Sequence, residues 1–223
     1  GPIIDVYYAS FRIPDLIYNL LIVGALTAGF IPGFTKLFNQ KNGPENAWKL
    51  ANNIINITGI ALIFLCGLGM IFTAPLAKII APGFFGENLE RMISFTRIMF
   101  FSPLFLGLSM VAGGILQSLR HFTLYAIAPI FYNIGIIAGA TGLVNAWGYI
   151  GLPIGVILGA AMHAGIQIYG AYKAGWRWRP IFNLKDPDTK IIGRLMVPRT
   201  MGLAITQVNQ LVITILASLL PVG

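Results

Sequence analysis

Long apolar runs separated by clumps of charge set the pattern of this chain. Charge-free runs of 20, 28 and 22 residues lie between Asp15 and Lys36, Lys49 and Lys78, and Arg97 and Arg120; 24 residues follow Arg199, and 52 lie between Arg120 and Lys173. A bilayer core takes roughly 20 apolar residues per helix, so the four shorter runs fit one crossing each and the longest fits two. The spacing predicts six transmembrane helices, over about 10–35, 50–75, 90–118, 122–144, 150–173 and 190–219. Breakers fall between them: the polar turn 39–44, the Gly/Pro loop 81–86, the aromatic break 145–151 and a longer basic connection with Pro180 and Asp186-Pro187. Six buried helices of a soluble protein would leave almost no amphipathic helices to cover them. The glycosylation match Asn56-Ile57-Thr58 lies inside an apolar run and reads as accidental.

Composition agrees, with 57% apolar and only 10% charged residues, where a soluble domain carries about a quarter. A net charge of +8 would suggest nucleic acid in a soluble chain. Here the basic residues sit at the ends of apolar runs and no nucleic-acid motif accompanies them. Lys36, Lys41, Lys49, Arg120, Lys173, Arg177, Arg179, Lys185, Lys190 and Arg194 fall on one side of six helices, against Lys78 and Arg91 on the other. That asymmetry makes the first side cytoplasmic and places both ends of the chain outside. An outward start with no signal-like segment predicts that at least one earlier helix is missing. Trp48, Trp147, Trp176 and Trp178 suit the headgroup level.

Enzymatic patterns are absent: there is no HExxH, CxxC, GxSxG or phosphate loop, and no carboxylate pair inside an apolar run. The expectation is a non-enzyme with no cofactor and no metal; the single Cys66 reads as packing. Ionisable groups at membrane depth carry the functional hypotheses instead, because they are costly unless they face partners or water. Arg12, Arg97 and Arg199 are the basic ones. Arg12 shares a helical face with Asp15, three residues on. It either lines a cavity for an anionic substrate or snorkels to the headgroups beside its own Asp. Arg97, ahead of Pro103, and Arg199, just after Pro198, present the same choice, since helix breaks often border binding sites. His163 and Gln167, one turn apart near mid-membrane, read as a proton relay or as an interhelical hydrogen-bonded pair. Glycines every four residues at 135 and 139, and again at 151, 155 and 159, predict close backbone packing. Cations with few buried acids suit a substrate bearing phosphate or carboxylate.

The stretch Asp5, Phe11-Arg12-Ile13-Pro14-Asp15-Leu16, Gly24-Ala25 and Phe30-Ile31-Pro32 resembles the second helix of the MurJ (MviN) family of lipid II flippases. Ala81-Pro82-Gly83-Phe84, Arg97-Ile98-Met99-Phe100, Gly113-Gly114-Ile115-Leu116-Gln117-Ser118, Ala128-Pro129, Asn133-Ile134, Leu195-Met196-Val197-Pro198 and Thr214-Ile215-Leu216-Ala217-Ser218 continue the likeness in family order. The resemblance implies an all-α integral membrane protein, its six helices forming part of a two-bundle alternating-access transporter. The chain then corresponds to helices two to seven of fourteen. Residues 1–175 would belong to the first bundle, 176–189 would be a cytoplasmic linker and 190–223 the first helix of the second bundle. The implied cargo is an undecaprenyl diphosphate carrying a glycan, moved across the bacterial inner membrane beside membrane lipids and other cell-wall synthesis proteins. Asp5 and Arg12 match charged positions of the motif; with Arg97 and Arg199, singled out by membrane depth, and Asp15 beside Arg12, they make the candidate substrate-binding set. Where the family carries two arginines this chain has Tyr18-Asn19, and Val23 stands for a glutamate, so Arg199 is a candidate to supply the charge missing at Tyr18. Two alternatives are a multidrug exporter of the same superfold, with Asp15 binding a cation, and a non-transporting module of envelope assembly.

Overall fold

A computed structural model describes residues 2–23, 29–41 and 43–220. Every regular element among them is helical. Four stretches are long and apolar enough to cross a membrane: Gly43–Ile71, Gly86–Ser118, Phe122–Lys173 and Pro187–Ser218. The first is α4; the second joins α6 (Gly86–Met99) to α7 (Phe101–Ser118) through a bend at Phe100. The third contains α8 (Phe122–Ala138), a wider turn Gly139–Leu143, the short α9 (Val144–Trp147) and α10 (Gly151–Lys173). The fourth is α11.

The 52-residue stretch doubles back where the sequence predicts, at Gly148 with φ +65°. A side chain in that left-handed region is strained, and glycine is not. The arms α8 and α10 then run antiparallel, with Gly135 against Gly159, Gly139 against Gly155 and Gly151 against Leu143 and Val144. Backbone touches backbone along this seam, as the glycine spacing predicts.

The expected first helix, 10–35, is broken. It begins at α1 (Pro2–Ser10), bends at Phe11, continues as α2 (Arg12–Tyr18) and widens over Asn19–Val23; α3 (Ile31–Phe38) follows. Pro14 removes a backbone donor in the first turn of α2, the position where a helix tolerates it. Gly24, Ala25 and the side chain of Val23 lie outside the described residues. A short helix α5 (Thr73–Ile80) leads from α4 into the loop before α6.

Two apolar clusters hold the fold. Phe34, Leu50, Ile54, Ile115, Trp176 and Ile192 pack nearer the basic end; Val6, Ile13, Ile80, Met92, Phe95 and Phe100 pack toward the other. Ile17 and Leu104 touch both. Outside these clusters large apolar side chains remain exposed, among them Ile63, Phe64, Ile71, Ile137 and Ile205. Helix α11 turns Thr189, Thr200, Gln210, Thr214 and Ser218 toward the protein beside Ile192 and Leu211, and leaves Leu195, Met201, Ile205, Val208 and Leu216 exposed along with Arg199 and Asn209. A soluble helix buries its apolar face; this arrangement suits lipid outside.

Between α10 and α11 the basic connection lies across α4 as a strap, held by three asparagines. The Asn52 Oδ1 accepts from the Arg179 N–H at 2.9 Å, and its Nδ2 donates to the Arg177 carbonyl at 3.0 Å. Asn53 accepts from the Asn183 N–H at 2.7 Å and donates to the Asn183 carbonyl and the Thr189 hydroxyl at 2.8 and 2.7 Å. Asn56 donates to the carbonyls of Arg179 and Ile181 and accepts from the Trp178 indole. Thr189 in turn bonds Asp186, the N-cap of α11. The buried Asn53 thus fixes both the strap and the start of α11. Asn53→Ala orphans the Asn183 groups and is expected to cost about 2 kcal/mol. Its checks are thermal unfolding in detergent and faster amide exchange over 179–185, with the exposed Lys185→Ala as the unchanged control.

Candidate functional site

At the end of the molecule away from the strap, a cavity of about 270 Å³ opens between α1, α2, the loop before α6 and the last turns of α11. Asp5 and Arg12, two of the sequence-predicted residues, line it together. They stand seven residues apart, close to two helical turns, which puts both on one face. Tyr8, Thr214 and Ser218 add hydroxyls, and Ala9, Phe84, Ile213 and Ala217 make the rest of the wall apolar. Such a mixed lining suits an amphiphile with a charged head.

The Arg12 guanidinium donates from Nη1 to the Gln210 side-chain oxygen at 3.3 Å, which joins α2 to α11. Its Nε is buried without a partner. No ion pair forms with Asp5 or Asp15; the ion pairs among the described residues are Lys49–Glu45 and Arg91–Glu87. Arg12 therefore keeps charge-assisted donor capacity inside a cavity, the property needed to hold a phosphate or carboxylate. Thr214 and Ser218 donate their hydroxyl protons to carbonyls of their own helix. Gly83 brings the loop onto the end of α11, donating its N–H to the Ser218 hydroxyl at 3.3 Å. A Cβ on Gly83 would run into the Ser218 carbonyl, so this wall requires glycine.

The other predicted residues lie elsewhere. Arg97, in the last turn of α6, and Arg199, one residue past Pro198 in α11, are exposed and make no side-chain hydrogen bond or ion pair among the described residues. Asp15 is exposed, three residues beyond Arg12. Helix α11 runs antiparallel to the first segment: Gln210 meets Arg12, the Thr200 hydroxyl reaches the Leu20 carbonyl at 3.3 Å, and Ile192 packs on Gly29. This register sets Arg199 within about one turn of the level of Tyr18, while Tyr18 itself packs against the core.

His163 and Gln167 have different neighbours. His163 Nδ1 lies 2.6 Å from the Ser109 hydroxyl and its ring meets Tyr132 edge-on at 6.4 Å. Gln167 is buried against Gly113, with its Oε1 unbonded. The histidine is thus tied to α7. Gln210 and the asparagine strap were missed in sequence. The spacing of Asn52, Asn53 and Asn56, which puts three amides on one helical face beside a basic connection, was the available signal.

The exposed apolar helix faces, the glycine seam and four stretches of membrane-spanning length mark a helical integral membrane protein. The Lipid II flippase MurJ family model matches residues 1–223, and the chain belongs to that family. It is 30% identical to a probable lipid II flippase MurJ of Rhizobium tropici, over 98% of this chain and 42% of the relative. It is 27% identical to the lipid II flippase MurJ of Burkholderia cenocepacia, over 98% and 44%. The chain therefore spans less than half the length of these curated relatives. A solved structure described as lipid II flippase MurJ in an inward closed conformation shares the fold, with a TM-score of 0.76 at 21% identity over 99% of this chain and 45% of that one.

Proposed function

We propose that this chain works as part of a lipid II flippase, moving a lipid-linked peptidoglycan precursor across the bacterial inner membrane by alternating access. The observation that carries the reading is Arg12, with free donor capacity in an amphiphilic cavity, in a chain matched end to end by the flippase family. The role is transport, with no covalent step. Residues 1–175 form the first bundle, 176–189 the cytoplasmic linker and 190–223 the first helix of the second bundle, with six crossings in all. The basic strap faces the cytoplasm, because ten basic residues share its side.

The mechanism follows from the Arg12–Gln210 bond. A diphosphate arriving at the cavity competes with the Gln210 amide for the guanidinium, and an ionised oxygen is the stronger acceptor. Binding thereby loosens a tie between the first bundle and α11 and favours one conformation through differential contacts. Asp5 limits entry of anions that do not reach the guanidinium, and the apolar wall accepts the first part of a lipid chain. Asp15, Arg97 and Arg199 contribute in other conformations of the cycle, as does the polar group of His163 and Gln167.

Reconstitution of the full protein in vesicles containing lipid II tests this. Lipid II placed in one leaflet is expected to become accessible from the other faster than in protein-free vesicles, with no competition by hydrophobic cations. Movement at the protein-free rate, or competition by such cations, overturns the proposal.

A further inference from the structure

A second cavity, of about 90 Å³, lies at the opposite, basic end, between the first turns of α4 and the strap. Lys49, Arg177 and Arg179 line it, with one carboxylate, Glu45, and the side chains of Trp48 and Asn52. Glu45 is engaged by Lys49 at 2.9 Å, so the two arginines are left without an acidic partner among the described residues. Arg177 is held in place by stacking on Tyr172, 3.7 Å from its centroid, and by donation from one nitrogen, Nη1, to the carbonyls of Tyr172 and Trp176. Arg179 has its backbone fixed on both sides, its N–H by Asn52 and its carbonyl by Asn56, while its side chain makes no bond among the described residues.

The three cations are therefore carried on fixed backbone around a small recess, with the Arg177 side chain already in place and the Arg179 side chain free to turn to a ligand. The recess opens where the apolar spans end. Trp178, Phe182 and Leu184 on the same strap are 61%, 54% and 58% exposed, apolar surface that suits the edge of a bilayer. We propose that Lys49, Arg177 and Arg179 form a site for the phosphodiester of an anionic phospholipid headgroup. Basic recesses at the cytoplasmic ends of membrane helices favour such headgroups over zwitterionic ones through their net charge. The site is separate from the Arg12 cavity, and it requires only that the chain sits in a bilayer, not that it carries lipid II. A headgroup bound there would tie the strap to α4 beside the asparagines and so steady the start of α11.

Native mass spectrometry of the purified full protein, delipidated and offered phosphatidylglycerol or phosphatidylcholine with identical acyl chains, tests the site. Retention of phosphatidylglycerol over phosphatidylcholine is expected. Arg179→Gln should lower phosphatidylglycerol retention about fivefold, the effect of one basic residue near an anionic headgroup. Because the Arg179 side chain makes no hydrogen bond or ion pair among the described residues, this variant should melt with the native protein. Lys49→Gln provides a second reading of the same loss, and the exposed Lys185→Gln should change nothing. Equal retention of the two lipids, or native-like retention by both Arg179→Gln and Lys49→Gln, overturns the proposal. Displacement of the lipid by excess inorganic phosphate would make a free anion the ligand and overturn the lipid assignment.

Discussion

Gly155→Val is expected to remove most of the folded protein. Gly155 lies on α10 where a Cβ would stand 2.5 Å from the Cα of Gly139 and 3.0 Å from the Gly135 carbonyl oxygen. Both obstacles are backbone, Gly135 in α8 and Gly139 in the wider turn that follows it, so no rotamer change relieves them, and the two arms of the hairpin must separate. Separation strips the contacts of the whole seam from Gly135 to Gly159, because rigid helices cannot part at one residue alone. Overpacking of a well-packed site ordinarily costs about 1–3 kcal/mol, and a backbone collision belongs at or above the top of that range. Against a total stability of about 5–15 kcal/mol, that is a large fraction. Thermal unfolding and the monodisperse yield in detergent are the readouts. Gly165→Ala on the same helix is the control, since nothing lies within 4 Å of its Cβ and alanine favours the helix. Equal melting of the two variants would mean that α8 and α10 do not approach this closely.

Arg12→Ala is expected to weaken binding of lipid II by about 30-fold, equivalent to about 2 kcal/mol for a hydrogen bond to a charged group. Among the described residues the guanidinium is the one cation lining its cavity, and neither Asp5 nor Asp15 forms an ion pair with it. Arg12→Lys should recover part of the loss, retaining charge without the planar fork. Gln210→Ala gives the opposite sign: it removes the acceptor that occupies Arg12 in this conformation, so binding should be unchanged or tighter. Native mass spectrometry with lipid II reads all three. Arg199→Ala separates a further idea, that Arg199 replaces a charge missing at Tyr18. If Arg199→Ala transports normally while Arg12→Ala does not, Arg199 has no such role. A full-strength complex of Arg12→Ala with lipid II would place the headgroup outside this cavity.

The sequence by itself determined the helical class, the break at 145–151, the glycine seam and the family, because bilayer thickness and charge asymmetry act on the chain residue by residue. Lengths of apolar runs and the order of short motifs need no knowledge of neighbours. Asp5 and Arg12 were singled out by the family motif, and the structure brings both to one cavity across the bend at Phe11.

Only the tertiary structure decided what faces each polar group. Arg12 meets Gln210, 198 positions away, and Asn53 meets Asn183 and Thr189 at 130 and 136. His163 turns to Ser109 rather than to Gln167, its neighbour in sequence. Arg97 and Arg199 read like Arg12 along the chain, yet neither lines the cavity. Helix periodicity fixes the face on which a side chain stands, but the element opposite that face is set by how distant helices pack. For this chain, periodicity therefore specified the spans, and packing specified the site.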